Sequence, residues 1–231
     1  MHYHAESRER HQAVIVDIGG GTTDIANAEV GGDAAPRIHR ALCIARGGTY
    51  IDLALSLSSY MPLFGRGITR VPAHHYVEPA TVQDMTRKRD FRQHKYDHVD
   101  EPWRARLQAL QDTGNTARLY RDVERAKIAL SAASEHRSTL DYIARDLHAY
   151  SSADGLAAAA HGYLEQIREL LAQVRSDIGG DPDAVFLTGG MSRAGYLRQA
   201  VAEAFPGARM VQGEPSLGVV QGLALAAASQ D

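Results

Sequence analysis

A single cysteine, Cys43, stands among the 231 residues, so no disulfide can close within the chain. That scarcity fits a reducing compartment. Apolar runs long enough to span a bilayer are absent as well, and the first dozen residues carry no hydrophobic signal core. The expectation is a cytoplasmic protein with no membrane partner. Charge of one sign is also lacking: 25 basic against 28 acidic side chains leave a net charge of -3, which gives no broad field for nucleic acid. Arginines gather between Arg87 and Arg106, but acids and histidines are interleaved there, as on a solvated face. With 44% hydrophobic and 23% charged residues, the chain has the composition of a globular protein. Its length suffices to bury a core in one large or two small domains.

The densest signal is Val14-Ile15-Val16-Asp17-Ile18-Gly19-Gly20-Gly21-Thr22-Thr23-Asp24. A β-branched run reads as a buried strand that enters three glycines, and Ile25 to Val30 alternates as a second strand would. Glycine permits positive φ and close approach, so successive amides, with the Thr22 hydroxyl, would point at phosphate oxygens. Asp17 and Asp24 would repel bare phosphate but join such a site through Mg2+ or its waters. An ordinary glycine hairpin is the competing reading.

Arg37 to Ala45 suggests a third strand ending at Gly47-Gly48, and Ile51, Leu53, Leu55 and Leu57 mark a helix with Asp52 in its first turn. From Met61 to Pro102 the regularity fades. His74, His75, His94 and His98 raise a zinc reading, the last two being spaced to share a helix face. No cysteine accompanies them, so surface histidines are the preferred reading; His2 and His4 belong to a polar, disordered start. Trp103, Leu107 and Leu110 begin a helix that Gly114 interrupts.

Leu119 to Ala133 fits a helix with one buried stripe, on which Glu124, Lys127 and Ser131 share a separate face. From the residues alone, this is either a surface ion pair or a set suited to a ribose and an adenine edge. Ser138 to Ala149 reads as a strand, a turn and a helix start; Ser151-Ser152-Ala153-Asp154 reads as a loop or cap, and Gly155 to Asp177 as a helix. A short strand, Ala184 to Leu187, runs into Thr188-Gly189-Gly190-Met191-Ser192-Arg193. Glycines at the carboxyl end of a strand admit a ligand to bare backbone, and a guanidinium such as that of Arg193 stacks on a base. A plain strand-to-helix turn is the alternative. A helix from Tyr196 to Ala204, a strand from Ala208 to Val211 and a helix from Leu217 to Ala228 complete the pattern.

Three of these stretches carry a resemblance. The glycine-threonine string resembles the second phosphate motif of the actin, sugar-kinase and heat-shock-protein ATPase superfamily. Val-Glu-Arg-Ala-Lys-Ile-Ala-Leu-Ser resembles the helix lining the adenosine pocket of heat-shock ATPases, and Val-Phe-Leu-Thr-Gly-Gly-Met-Ser-Arg their adenosine motif. With Gly-Gly-Thr-Tyr-Ile-Asp between, the chain resembles the second lobe of a DnaK-type ATPase domain, most of all YegD-type proteins. The resemblance implies an α/β, ribonuclease-H-like mixed sheet flanked by helices, with a smaller inserted α+β subdomain. Residues 1–12 would be a tail, 13–58 and 181–231 the core, and 59–180 the insert with its connecting helices. By residue it implies Asp17 and Asp24 around Mg2+ and the attacking water, and Gly19, Gly20, Gly21, Thr22 and Thr23 around the phosphates. Glu124, Lys127 and Ser131 would hold the nucleoside of ATP or ADP, with Gly189, Gly190 and Arg193 closing over it.

Two departures from the family pattern imply weaker or altered adenine binding: Ile128 stands where the family has an arginine, and Ser216 where it has an aspartate. Nothing before Val14 holds a first lobe, so the expectation is half a cleft with little or no hydrolysis of its own. A separate first lobe, a polypeptide client and a homodimer through the exposed cleft face are the expected kinds of partner. A sugar-kinase or actin-like ATPase fragment and a non-catalytic interaction module remain open as alternatives.

Overall fold

The computed structural model describes residues 9–31, 36–81 and 84–212. His2 and His4, the Gly32-Asp33 turn, Ser216 and the expected helix Leu217 to Ala228 lie outside them. In chain order the elements are β1 (His11–Ile18), β2 (Thr23–Val30), β3 (Arg37–Ile44), α1 (Gly48–Leu55), α2 (His74–Ala80), α3 (Met85–Gln93), α4 (Trp103–Gln111) and α5 (Asn115–Ala129). Then follow β4 (Glu135–Thr139), β5 (His148–Ser152), α6 (Ala153–Ile178), β6 (Ala184–Thr188), α7 (Gly195–Ala204) and β7 (Arg209–Gln212). The fold is mixed α/β, with a five-stranded mixed sheet flanked by helices. Among the described residues, no helix is long and apolar enough to cross a membrane.

The chain divides into two compact units, Met1–Tyr50 with Gly162–Asp231, and Ile51–His161. Its switch points fall inside α1 and α6, where the sequence placed them at 58/59 and 180/181.

In the first unit the sheet runs β3-β2-β1-β6-β7. β1 pairs antiparallel with β2 and parallel with β6, while β3 extends the antiparallel side and β7 the parallel side. The central place of β1 follows from its residues: Ala13, Val14, Val16 and Ile18 are fully buried, which a strand covered on both faces requires. Alternation sorts them. Ala13 and Ala28 form an apolar cluster with Ile15 and Phe186 packed against it, while Val14 and Val16 face the other way in register with Val185 and Leu187. Asp183 ties the strand starts together: its carboxylate accepts from the Gln12 amide at 2.8 Å, and its backbone bonds Gln12 and Arg209.

The second unit carries α2 to α5 and a separate β4-β5 hairpin. Its core is rich in aromatics, with Tyr60, Phe64, Tyr76, Phe91 and Tyr96 all buried. Tyr60 keeps its hydroxyl satisfied at 2.8 Å from Ser138 Oγ, as a buried phenol must. Several sequence expectations change here. The segment from Met61 to Pro102 holds a short 3-10 helix, Met61–Phe64, and two α-helices, α2 and α3. Helix α3 is capped by Asp84, whose carboxylate accepts from the Thr86 and Arg87 amides at 3.0 and 3.1 Å. The strand-turn-helix expected over 138–149 is instead an antiparallel hairpin with Glu135 opposite Ser152. Ser152 Oγ nevertheless accepts from the Gly155 amide at 3.0 Å, as a cap at the start of α6 does.

Candidate functional site

The loop between β1 and β2 is four residues, Gly19 to Thr22, closed by the Gly19 amide donating to the Thr22 carbonyl at 2.9 Å. The start of α1 lies against it. Gly48 donates to the Gly19 carbonyl at 3.0 Å, and the Thr49 amide and hydroxyl donate to the Gly20 carbonyl at 2.9 and 2.8 Å. First-turn amides of a helix lack partners within it, and here two loop carbonyls supply them. The loop carbonyls are thereby turned toward the helix. Among the described residues, the Gly20, Gly21 and Thr22 amides have no such partner, and all three residues are exposed.

The expected reason for the three glycines changes. None of Gly19, Gly20 and Gly21 takes positive φ. Nor does packing exclude a side chain: a Cβ would meet Thr49 Cγ2 at 3.8 Å from Gly20, and nothing within 4 Å from Gly21. What their lack of side chains leaves is an open stretch of bare backbone. The glycine that packing does require is Gly47, where a Cβ would lie 2.4 Å from the Gly19 carbonyl oxygen and 2.7 Å from that of Gly20.

The carboxylates flank this loop. Asp17 and Asp24 are directly opposite in the antiparallel register, and Cys43 is opposite Asp24 on β3, so the three stand in one row across the sheet. Burial, then the charge of Asp24, pushes the Asp17 carboxyl above its ordinary value. Cys43 hydrogen-bonds Asp24, which, with some desolvation and the carboxylate charge, raises its thiol in turn. Thr23, the first residue of β2, has its side chain taken up by the fold. Its buried hydroxyl donates to the Arg46 carbonyl at 2.9 Å and shares a hydrogen bond with Tyr163.

On the parallel side, Thr188 is in register with Asp17, and Gly189 follows with φ of 86°. A Cβ at Gly189 would lie 2.3 Å from the Ile18 carbonyl oxygen and 2.5 Å from Asp17 Oδ1. The Met191 amide donates to that same Ile18 carbonyl at 3.1 Å. Asp17, Asp24, Gly19 to Thr22 and Gly189 are therefore brought together at the carboxyl ends of β1 and β6. Gly190 and Arg193 are exposed on the turn that follows.

Glu124, Lys127 and Ser131 belong to the second unit. Lys127 is buried, its ammonium 2.8 and 2.9 Å from the two oxygens of buried Asp52. Asp52 occupies the second turn of α1, not the first, so pairing with Lys127 replaces the dipole role expected of it. Burial still raises its carboxyl above the ordinary value, Lys127 pulling the other way and Glu124 adding to the rise. Ser131 lies past the end of α5, in a turn where its hydroxyl donates to the Lys127 carbonyl at 3.3 Å. It does not continue the helical face, because α5 closes at Ala129. Ile128 is 64% exposed, a large apolar side chain where the resemblance expects a guanidinium.

The second unit also gathers histidines. His74, His75 and His94 each offer a ring nitrogen within 4.8 Å of the others. His94 does not share a helix with His98, since α3 ends at Gln93 and His94 caps it in an extended conformation. Its Nε2 instead lies 2.6 Å from Glu78 Oε2 on α2, and its ring stacks on that of His75 with centroids 3.6 Å apart. Burial, then the charges of His94, His74 and His98, lowers His75 to about 4.

No protein-family model matches the chain.

Proposed function

We propose that this chain is a nucleotide-binding lobe of the DnaK type, closest to YegD-type proteins, with a ribonuclease-H-like core. In this reading it holds the phosphates of ATP or ADP at Gly19 to Thr22. The observation that carries it is the hydrogen-bond polarity of that loop: the Gly19 and Gly20 carbonyls are taken by α1, while the Gly20, Gly21 and Thr22 amides stay open to solvent. Unpartnered amides on exposed, bare backbone suit an anion cradle. The strand order, a hairpin and third strand joined by two strands that return parallel to the first, supports the ribonuclease-H-like reading.

The residues present suit a magnesium ion. Two carboxylates face each other across β1 and β2, and both burial and, after it, the charge of Asp24 raise the Asp17 carboxyl, a mutual repulsion that a divalent cation would offset. Asp17 and Asp24 would hold it through water, and the bound ion would neutralise phosphate charge. Thr22 contributes a hydroxyl, Gly189 leaves room for the Asp17 carboxylate where a Cβ would press on it, and the exposed guanidinium of Arg193 is available to a base. For Glu124, Lys127 and Ser131 the nucleoside role rests on the resemblance, and Lys127 already serves Asp52.

Calorimetric titration with Mg-ADP and Mg-ATP tests the proposal. Binding by the wild type that an Asp17→Asn, Arg193→Ala double variant abolishes is expected. No heat at millimolar nucleotide, or equal binding by the variant, would overturn it.

A further inference from the structure

Three imidazoles converge in the second unit at a place the phosphate site does not use. His74 and His75 open α2, and His94 follows α3. Their nearest ring nitrogens lie within 4.8 Å of one another. A zinc ion bonds nitrogen at about 2.0–2.1 Å, which sets tetrahedral ligands about 3.3 Å apart, so a small closure brings these nitrogens to coordinating distance. Glu78, one helical turn after His74, holds His94 through its Nε2 at 2.6 Å. A carboxylate on the far nitrogen of a ligating histidine fixes its ring and raises its basicity. His75 Nδ1 is buried with no hydrogen-bond partner among the described residues, an orphaned polar atom of the sort a bound ion would satisfy.

We propose that His74, His75 and His94 form a binding site for a divalent transition ion of the zinc type, with Glu78 positioning His94. Three histidines leave a fourth position for water or another ligand. Borderline-soft ions prefer imidazole, whereas magnesium and calcium take oxygen, so this site and the carboxylate pair at Asp17 and Asp24 select different metals. The proposal does not rest on the nucleotide reading.

An ion lies close to the plane of each ring it bonds. The His75 and His94 rings are stacked at 11°, so one of them turns on binding. Glu78 restrains His94, which leaves His75 to rotate about a soft terminal torsion. Opening of the stack is therefore part of the site.

The test is Zn2+ titration of the metal-free chain in a His2→Ala, His4→Ala background, so that the tail imidazoles cannot supply the signal. Co2+ serves as the absorbance probe of geometry. One equivalent of Zn2+, with a tetrahedral Co2+ spectrum, is expected. His75→Phe keeps an aromatic ring in the stack and removes its nitrogens. It should weaken binding more than about 100-fold, and Glu78→Gln by about 10–100-fold, the usual loss for an outer partner. His74 is exposed, so His74→Ala tests the site without disturbing the core. Absence of Zn2+ uptake at millimolar metal, or uptake unchanged by both His74→Ala and His75→Phe, would overturn the proposal.

Discussion

Replacing Gly189 by alanine puts a methyl group where β1 already stands. At φ of 86° an L-residue pays about 1–2 kcal/mol for the left-handed conformation. The new Cβ would also sit 2.3 Å from the Ile18 carbonyl oxygen and 2.6 Å from its carbon. Asp17 Oδ1, at 2.5 Å, can swing away, but the backbone of a central strand paired on both sides cannot. Overpacking of that kind costs about 1–3 kcal/mol. Alanine narrows the unfolded ensemble, which returns up to about 1 kcal/mol. The expected net loss is about 2–4 kcal/mol, or a fall of roughly 5–15 °C in melting temperature for a chain of this size. Gly190 is the internal control: it is exposed, lacks positive φ and has nothing within 4 Å of the place a methyl would take. Gly190→Ala should stay within about 0.5 kcal/mol of wild type. Urea and thermal unfolding followed by circular dichroism compare the two. A loss under about 1 kcal/mol for Gly189→Ala, or equal losses at both positions, would refute the claim that Gly189 is required by its contact with β1.

Asp17 is raised in the folded protein, so it favours folding below its ordinary value of 3.8, and that contribution is lost as pH rises through the folded value. Asp17→Asn is thus expected to raise the melting temperature at pH 7 and leave it nearly unchanged at pH 3; a lowered value at pH 7 would contradict this. Lys127→Met strands the Asp52 carboxylate in the core and should cost about 3–5 kcal/mol at pH 7.5. Because a stranded carboxylate can take up a proton, the loss should shrink at pH 5, and Lys127→Met with Asp52→Leu should recover most of it. Urea midpoints at the two pH values decide, and a loss independent of pH would count against the buried-charge explanation.

The hairpin at Gly19 was legible because β1 and β2 state their pattern twice, once as a buried run and once as an alternation. The facing of Asp17 and Asp24 follows from the loop length, which pairs Ile18 with Thr23 and so Asp17 with Asp24. Cys43 beside Asp24 was not legible: the β2-β3 register shifts between Asn27 and Ala28, and no local rule reports such a shift. The partner of Lys127 was not legible for a related reason. Spacing along a helix shows which residues share a face but not what meets it, and Asp52 is 75 residues away. Helices α2 and α3 were missed because they are short, polar and anchored by single aromatics such as Tyr76 and Phe91. The capping aspartate at Asp84 was the available signal. Spacing alone suggests a shared helix face for His94 and His98, and the helix end at Gln93 undoes that arrangement, with His94 stacked on His75 instead.

The central claim is that the open amides of the β1-β2 loop receive phosphate. Its most direct measurement is a backbone amide NMR titration with Mg-ADP, watching Gly20, Gly21, Thr22, Gly189 and Gly190. Saturable shifts concentrated on these amides, and absent in Asp17→Asn, are expected. Millimolar Mg-ADP that leaves them unmoved, or that shifts only amides remote from the carboxyl ends of β1 and β6, would contradict the claim.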